Sequence, residues 1–369
     1  MATTTLTDGS QPSGAMSVPI GKSRIEYLPQ LDSLRTLAVI MTLLAHTAPV
    51  MIPYMHYGVP IFFTISGFLI TTILLNTANA TPPRSRPYII KNFVVRRALR
   101  LFPVYYLFLV FFWFAKNHLS LFLWKDEFTP YFFTYTANIY VFKFTSGAAG
   151  CFAHLWSLSV EEQFYLFWPW ILLYCPSRYR IPVIVGMISF ALIFVCCNYK
   201  NDYIGSLPFG QFHNLGVGAL LAVFYVKNAA VIRWLKDKRH LLFLLTFVHL
   251  IFVLIIFHQS AFFSFYRELS LCSCTFSIVL VSIFGWKGFM GYIMGSRPMR
   301  YIGTISYGIY LYHMPVPYIW RLVMARLDPN LHLNGWVLTG IWFGIIVLIA
   351  AVSYKYIETP FLKLKSYFV

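Results

Sequence analysis

Long apolar segments recur along this chain, and their length restricts the folds that it can adopt. A helix needs about 20 mostly apolar residues to cross a bilayer. The chain is therefore predicted to form an all-α, polytopic bundle of about ten transmembrane helices in an integral membrane protein. The ten segments lie at residues 34–52, 58–77, 99–115, 154–175, 181–198, 208–226, 241–258, 262–285, 304–322 and 335–357.

The charged residues agree with this assignment. Only 11% of the residues are charged, whereas a soluble domain has about 25%. The net charge of +17 does not indicate nucleic-acid binding, because the basic residues lie in short clusters between apolar segments. Placing both termini in the cytoplasm assigns 22 Lys and Arg residues to that side and 6 to the outer side. This asymmetry predicts an even number of helices with both termini cytoplasmic.

The first residues differ from the rest of the chain. Residues 1–23 are rich in Thr, Ser, Gly and Pro and lack an apolar core, so we predict a disordered cytoplasmic tail and no signal peptide. Residues 24–369 are predicted to form a single transmembrane domain. The run 131–144 is expected to be interfacial or re-entrant, and the structure of residues 116–153 is otherwise not predicted. The six cysteines lack metal-ligand spacing, so neither disulfides nor a metal site is expected.

Basic side chains inside or beside the membrane are functional candidates, because hydrocarbon makes them costly to bury. Arg35 and His46 lie 11 residues apart, which places both on one face of the first helix. From this pattern, His46 is either an interhelical hydrogen-bonding residue or a catalytic base. Arg97 and Arg100 lie at the predicted cytoplasmic start of the third helix. They either anchor the topology or bind a phosphorylated ligand.

The run HLWSLSVEEQFYLFWPW, residues 154–170, contains two adjacent carboxylates. His154, Ser157 and Glu161 are three and four residues apart, so they line one helix face. Tyr165 extends that face by one more turn. Glu162 is rotated from it by about 100°, and we expect Glu162 to pair with a cation or to reach the interface. The two carboxylates are therefore not equivalent, and Glu161 is the functional candidate.

Three further polar positions stand out. Ser66 lies beside a glycine in the second helix, a pair that favours close helix packing. Tyr310 and His313 are three residues apart on one face of the ninth predicted helix, where interhelical packing is the favoured interpretation for the tyrosine. Arg267 and Glu268 are adjacent near the outer end of the eighth helix. The sequence leaves open whether this pair neutralises nearby charges or contacts a polar substrate.

The chain resembles the membrane acyltransferase 3 family in six segments that occur in the family's order, between about residue 28 and residue 365. Members of that family carry acyl groups from cytoplasmic donors to extracytoplasmic acceptors, often sugars. The chain departs from the common pattern LDGLRG at Ser33 and Thr36, and from a frequent acidic residue at Pro60, changes that concern helix packing. The six segments are LDSLRTLAVIMTLLAH, GVPIFFTISGFLIT, RRALRLFPVYY, HLWSLSVEEQFYLFWP, YIGTISYGIYLYHMPV and YKYIETPFLKLK.

The resemblance implies an O-acyltransferase of the bacterial inner membrane, in a stand-alone form without the extracytoplasmic hydrolase-like domain of some members. Acyl-CoA, preferably acetyl-CoA and alternatively succinyl-CoA, would be the donor, with no metal. A hydroxyl of a carbohydrate or glycolipid would be the acceptor. His46 would act as a general base or transient acyl carrier, with Glu161 as its partner. The donor would be bound by Arg35, Arg97 and Arg100, and the site supported by His154, Ser157, Ser66, Tyr310 and His313.

A transporter or flippase of a polar lipid or glycan is the alternative, with the polar faces lining a path for the solute. No paired broken helices or inverted repeats are visible in the sequence, which disfavours this class. An enzyme acting on polyprenyl-linked sugars would need an acidic metal site, and the scattered carboxylates do not provide one. The sequence determines neither the acceptor nor the oligomeric state.

Overall fold

The computed structural model describes residues 27–48, 57–119, 124–256, 260–328 and 333–368, so the predicted tail lies outside the described residues. All regular secondary structure in these ranges is helical, as expected for an all-α bundle. A π-helical turn precedes the last α-helix. The helices are α1 (Pro29–Thr47), α2 (Gly58–Ala78), α3 (Arg86–Leu119), α4 (Phe128–Phe133), α5 (Ala137–Ala149), α6 (Leu155–Tyr174), α7 (Arg180–Cys197), α8 (Phe212–Lys227), α9 (Ala229–Ile255), α10 (Ala261–Phe284), α11 (Gly288–Gly295), α12 (Arg297–Thr304), α13 (Ser306–Tyr312), α14 (Pro315–Leu327), α15 (Gly335–Ser353) and α16 (Thr359–Lys363).

Six of the described helices, α2, α3, α7, α9, α10 and α15, are long and apolar enough to cross a membrane. The protein is therefore an integral membrane protein. The predicted number of ten crossings is not confirmed, because the four other segments are less apolar or shorter. Polar and ionisable residues interrupt α1 and α6, and α8 has only 16 residues. The segment 304–322 is divided into α13 and α14.

Two helices begin well before their predicted starts. α3 begins at Arg86 because its first turns bury Ile89, Ile90 and Phe93 in the core, although charged residues lie between them. α9 begins after Asn228, whose side chain accepts a hydrogen bond from the backbone N–H of the third residue after it. Both extensions continue apolar faces through charged sequence, which a search for uninterrupted apolar runs does not detect.

The first and last described residues lie at the same end of the bundle, which we call the inner end. The carbonyl of Phe368 accepts a hydrogen bond from Arg96, in a cavity that Ala80 also lines just after the end of α2. α2 begins at the opposite, outer end, where Tyr57 and His46 line another cavity. α1 therefore runs from the inner end to the outer end, and α2 returns.

α2 and α8 pack with their backbones in close contact. A Cβ atom on Gly67 would lie 2.0 Å from the carbonyl oxygen of Leu215, and one on Gly218 would lie 2.0 Å from that of Thr64. Only glycine fits at both positions, since no real Cβ approaches an atom so closely. The expected close packing beside Ser66 is therefore present, and it fixes the face of α2 that carries Ser66.

α4 and α5 occupy much of the region 116–153 and pack on the outer half of α3. The rings of Tyr105 and Tyr135 stack with centroids 4.1 Å apart, and the Tyr105 hydroxyl donates to the carbonyl of Phe132. Asn138 and Gln163 exchange side-chain hydrogen bonds, which joins α5 to α6. These contacts hold the two short helices against the bundle that contains the polar residues.

Candidate functional site

Three cavities lie one after another along the bundle. The inner vestibule has a volume of about 720 Å³, and the outer vestibule one of about 930 Å³. Between them the central cavity holds only about 60 Å³. Arg97 and Arg100 line both the inner vestibule and the central cavity, whereas Val59 and Tyr310 line both the central cavity and the outer vestibule. The three spaces therefore form a series with a narrow middle section.

Glu161 is the acidic residue of the central cavity. Its Oε1 accepts a hydrogen bond of 2.8 Å from the Ser66 hydroxyl on α2, and its Oε2 accepts one of 3.1 Å from the Tyr165 hydroxyl. Both carboxylate oxygens are thus held in place. Ser157, Glu161 and Tyr165 all line this cavity, so the helix face predicted from their spacing points into one space.

The three predicted donor-binding arginines meet in the same cavity. Arg35, Arg97 and Arg100 all line it, and the guanidinium carbon of Arg97 lies 5.3 Å from the ring centroid of Tyr165. Arg35 Nε is buried without a hydrogen-bond partner among the described residues. The expectation that Arg97 and Arg100 mark a helix N-terminus is wrong, because α3 begins at Arg86. Arg97 and Arg100 therefore offer a ligand only their guanidinium groups, without the free backbone N–H groups of a helix N-terminus.

The inner vestibule is strongly basic. Its described lining contains no Asp or Glu, and asparagine, threonine and serine side chains supply further polar groups. A cavity with several cations and no counter-charge attracts phosphate groups. The sequence pattern missed Arg84 and Lys365, which lie far apart in the chain and were assigned only to the basic inner side. The basic residues are Arg84, Arg96, Arg97, Arg100 and Lys365.

His46 lies at the outer end of α1, where it is exposed to the outer vestibule. Its Nδ1 is 2.8 Å from the carbonyl oxygen of Thr42. A carbonyl oxygen can only accept a hydrogen bond, so Nδ1 carries the proton and Nε2 keeps a free lone pair. This is the form of imidazole that accepts a proton from a substrate.

Two buried histidines pack beside His46. The ring of His313 lies 5.0 Å from that of His46 and 4.8 Å from that of His154, centroid to centroid. His313 Nδ1 donates to the carbonyl of Tyr310, and His154 Nε2 donates to that of Leu311. The remaining nitrogens, His313 Nε2 and His154 Nδ1, have no partner within the described ranges. Each imidazole in the cluster therefore has one fixed proton and one free acceptor nitrogen.

Hydroxyl groups connect this histidine cluster to the central cavity. The Tyr310 hydroxyl and the Ser157 hydroxyl are hydrogen-bonded to each other, and each also contacts the backbone carbonyl of His154. Tyr310 was assigned to interhelical packing, and it does join α13 to α6. It also forms part of the wall of two cavities.

The structure does not bring Glu161 and His46 into direct contact. Among the described residues, Glu161 accepts hydrogen bonds from Ser66 and Tyr165, and His46 is bonded to Thr42. The two lie in different cavities, because their helices are rotated so that Tyr310 stands between the two spaces. Glu162 was expected to pair with a cation or to reach the interface. Among the described residues Arg97 attracts it electrostatically without forming an ion pair, and its Oε1 has no hydrogen-bond partner.

Further polar residues line the wall of the outer vestibule, on α8 and α10. Glu268 is within 3.3 Å of His213 Nε2, and its other oxygen accepts two hydrogen bonds from Arg267. Gln211 and Asn214 lie beside them. The sequence pattern left the roles of Arg267 and Glu268 undecided and did not identify His213, although a histidine in an apolar helix was the same signal that identified His46.

A sequence profile of the acyltransferase 3 family, described as an acyltransferase domain, matches residues 28–355. The peptidoglycan O-acetyltransferase OatA of Listeria monocytogenes is 29% identical, over 92% of this chain and 56% of that protein. The putative peptidoglycan O-acetyltransferase YrhL of Bacillus subtilis is 30% identical, over 90% of this chain and 55% of that protein. The chain thus spans about half the length of the curated relatives that it matches. No solved structure matches the chain. Since the profile covers most of the sequence, the chain belongs to the acyltransferase 3 family.

Proposed function

We propose that the protein is an O-acyltransferase that moves an acetyl group from cytoplasmic acetyl-CoA to a carbohydrate hydroxyl on the outer side of the bacterial plasma membrane. The observation that carries this proposal is the series of three cavities. It has cations at the inner end, a histidine with a free acceptor nitrogen at the outer end, and a narrow section between them. Family membership supports the reaction class.

The two inner spaces match the shape and charge of an acyl-CoA. Its nucleotide carries phosphates, which the five basic residues of the inner vestibule would bind. Its slender arm ends in the thioester, and the central cavity, with a volume of about 60 Å³, would take the end of an extended chain. Arg97 and Arg100 line both spaces, so they would hold the phosphates at the entrance of the arm's path. Arg35, deeper in the central cavity, would guide the arm.

His46 would act on the acceptor. Its free Nε2 takes the proton of the acceptor hydroxyl while the hydroxyl oxygen attacks the thioester carbonyl carbon. The carbon–sulfur bond then breaks, and His46 returns the proton to the departing thiolate. In a two-step variant, Nε2 itself carries the acyl group between donor and acceptor. In both versions Thr42 holds the ring in the required tautomer.

Glu161 would act on the path of the arm and not on His46. Its carboxylate orders the hydroxyls of Ser66 and Tyr165 and supplies a negative charge in a cavity that Arg35 and Arg97 also line. Without that charge, the guanidinium groups of the narrow section would face each other unbalanced. Glu161 is thus proposed to shape the passage, with Ser66 and Tyr165 fixed in its wall.

The acceptor is proposed to be a cell-wall glycan. The two relatives described above are named as peptidoglycan O-acetyltransferases, one of them putatively. The outer vestibule also has the character of a sugar site, with aromatic rings at Tyr57 and Trp156 and amides at Gln211 and Asn214. The small central cavity disfavours the alternative of a transporter or flippase, because a whole glycan or lipid headgroup is larger than its volume of about 60 Å³.

The test uses the purified full chain in lipid nanodiscs, with labelled acetyl-CoA and peptidoglycan fragments. We expect acceptor-dependent CoA release and a glycan whose mass increases by one acetyl group. His46→Ala should lower kcat by about 10²–10⁴-fold, whereas His249→Ala, which lies outside the three cavities, should not change it. Full activity of His46→Ala would refute the assigned role. Glycan movement without CoA release would favour a transporter.

A further inference from the structure

The outer vestibule has a second polar centre besides the histidine cluster. Arg267 and Glu268 on α10 line it together with Gln211, which directly precedes α8, and Asn214 on α8. His46 lines the same space from the end of α1. A volume of about 930 Å³ is at the upper end of the range for small-molecule sites. More than one sugar ring therefore fits in the space that His46 and Arg267 share.

Glu268 fixes the orientation of Arg267. Its Oε1 accepts from both Nε and Nη2 of Arg267, at 3.2 and 3.0 Å. Its Oε2 faces the buried ring of His213, and the Glu268 side chain is itself only 15% exposed. The carboxylate is thus held from both sides, and it holds one edge of the guanidinium in turn.

The rest of the guanidinium is available for a ligand. Arginine has five N–H donors, and two of them are used by Glu268. The other three make no hydrogen bond within the described part of the chain, and the side chain is 29% exposed to the vestibule. A guanidinium with a fixed plane and a free edge binds the two oxygens of a carboxylate or phosphate side by side.

Lys200 and Asp202 complete the ionisable side chains of the cavity apart from its histidines. Both belong to the turn between α7 and α8, are exposed, and carry opposite charges. Neither is anchored as Arg267 is. The preorganised cation of the vestibule is therefore Arg267.

We propose that Arg267 forms an anion subsite of the outer vestibule. It binds a carboxylate or phosphate group carried by the acceptor glycan, next to the sugar whose hydroxyl faces His46. This inference rests on the proposed function and adds the class of acceptor: a glycan with an acidic substituent close to the acylated hydroxyl. Glu268 is the positioning residue, since it fixes the guanidinium plane without touching the ligand.

The experiment compares three acceptors on the full chain in nanodiscs. These are a neutral N-acetylglucosamine oligomer, a peptide-free peptidoglycan fragment with lactyl carboxylates, and an oligosaccharide with a phosphate ester. The readout is the ratio of KM for the neutral acceptor to KM for each acidic one. We expect a ratio of about ten for the wild type, because one charge-assisted hydrogen bond strengthens binding by about that factor. The acidic acceptor with the larger ratio identifies the anion.

Arg267→Gln should bring this ratio close to one, and Arg267→Lys, which keeps the charge but not the planar fork, should restore part of it. Arg326→Gln, an exposed arginine of α14 outside the cavities, is the matched control and should leave the ratio unchanged. Glu268→Gln should keep or raise the ratio, because it frees two donors and removes a negative charge. A purely structural pair would instead make the Arg267 and Glu268 variants alike in thermal stability and KM.

The outcomes separate the two proposals. If the wild type acetylates none of the three acceptors, the proposed function is refuted. If it acetylates all three with equal KM, or if Arg267→Gln folds and keeps the wild-type ratio, only the anion subsite is refuted. If Arg267→Gln does not fold, the KM ratio of Arg267→Lys is the deciding measurement. A wild-type ratio in Arg267→Lys would show that the planar guanidinium makes no contact with the acceptor, and it would refute the anion subsite.

Discussion

The two adjacent carboxylates of α6 allow a sharp test of how the narrow section works. Glu161→Gln keeps the size of the side chain and removes its charge. Ser66 and Tyr165 would then donate to a neutral amide or lose their acceptor. Glu162→Gln removes the same charge one residue later, at a carboxylate whose Oε1 has no partner among the described residues. The pair is therefore a matched comparison within one helix.

The expected loss of kcat/KM in Glu161→Gln follows from the two hydrogen bonds that Glu161 accepts. A hydrogen bond to a charged group contributes about 1–1.5 kcal/mol more than one between neutral groups. Two such bonds give about 2–3 kcal/mol, or about 30- to 160-fold in kcat/KM. For Glu162→Gln we expect a change of less than about threefold, since its Oε1 makes no hydrogen bond among the described residues that the substitution would weaken. Folding should be preserved in both variants, because a neutral amide is less costly to bury than a carboxylate.

The assay is the initial rate of CoA release at varied acetyl-CoA and fixed glycan, in nanodiscs, with the thermal unfolding midpoint of each variant. Equal losses in the two variants would refute the distinction between the two faces of α6. The unfolding midpoint of Glu161→Gln could also fall far enough to reduce the folded fraction at the assay temperature. That result would show that Glu161 stabilises the fold instead of shaping the passage.

Two further predictions concern packing and donor binding. Gly67→Ala should destabilise the protein by about 1–3 kcal/mol, because the new Cβ meets the Leu215 carbonyl. Gly186→Ala on α7 is the control, which has open space around it and should be neutral or stabilising by up to about 1 kcal/mol. Equal unfolding midpoints for the two variants would contradict the close α2–α8 contact. Arg97→Gln should raise KM for acetyl-CoA by about tenfold or more, and high salt should reduce the difference. Lys91→Gln, exposed on the same helix, is its control, and an unchanged KM in Arg97→Gln would leave that residue as a topology anchor.

Local spacing was enough to predict that three residues of one helix line the same cavity, although His154, predicted on that face, lines the outer vestibule instead. Ser157, Glu161 and Tyr165 all line the central cavity, because residues three and four apart share a helix face whatever surrounds the helix. The same argument correctly separated Glu161 from Glu162. It needs no knowledge of neighbouring helices, and this part of the site could therefore be predicted from the sequence.

Contacts between helices could not be predicted in the same way. The expected pairing of His46 with Glu161 required the rotation of α1 relative to α6, which depends on packing such as the α2–α8 contact at Gly67. His313 became the neighbour of His46 for the same reason. Lys365 joins the inner vestibule from the far end of the chain, and only the fold brings it near Arg97.

The narrow central cavity also determines where an electrical potential falls across this protein. If solution fills the two polar vestibules from both ends, most of the voltage would drop across the section between them. A unit charge crossing a full potential of 100 mV changes in energy by about 2.3 kcal/mol. Glu161 and Arg97 lie in that section. The charged groups around the passage would thus be exposed to a field stronger than one spread over the whole bilayer. Under the proposed function, a neutral acetyl group would cross it without electrical work.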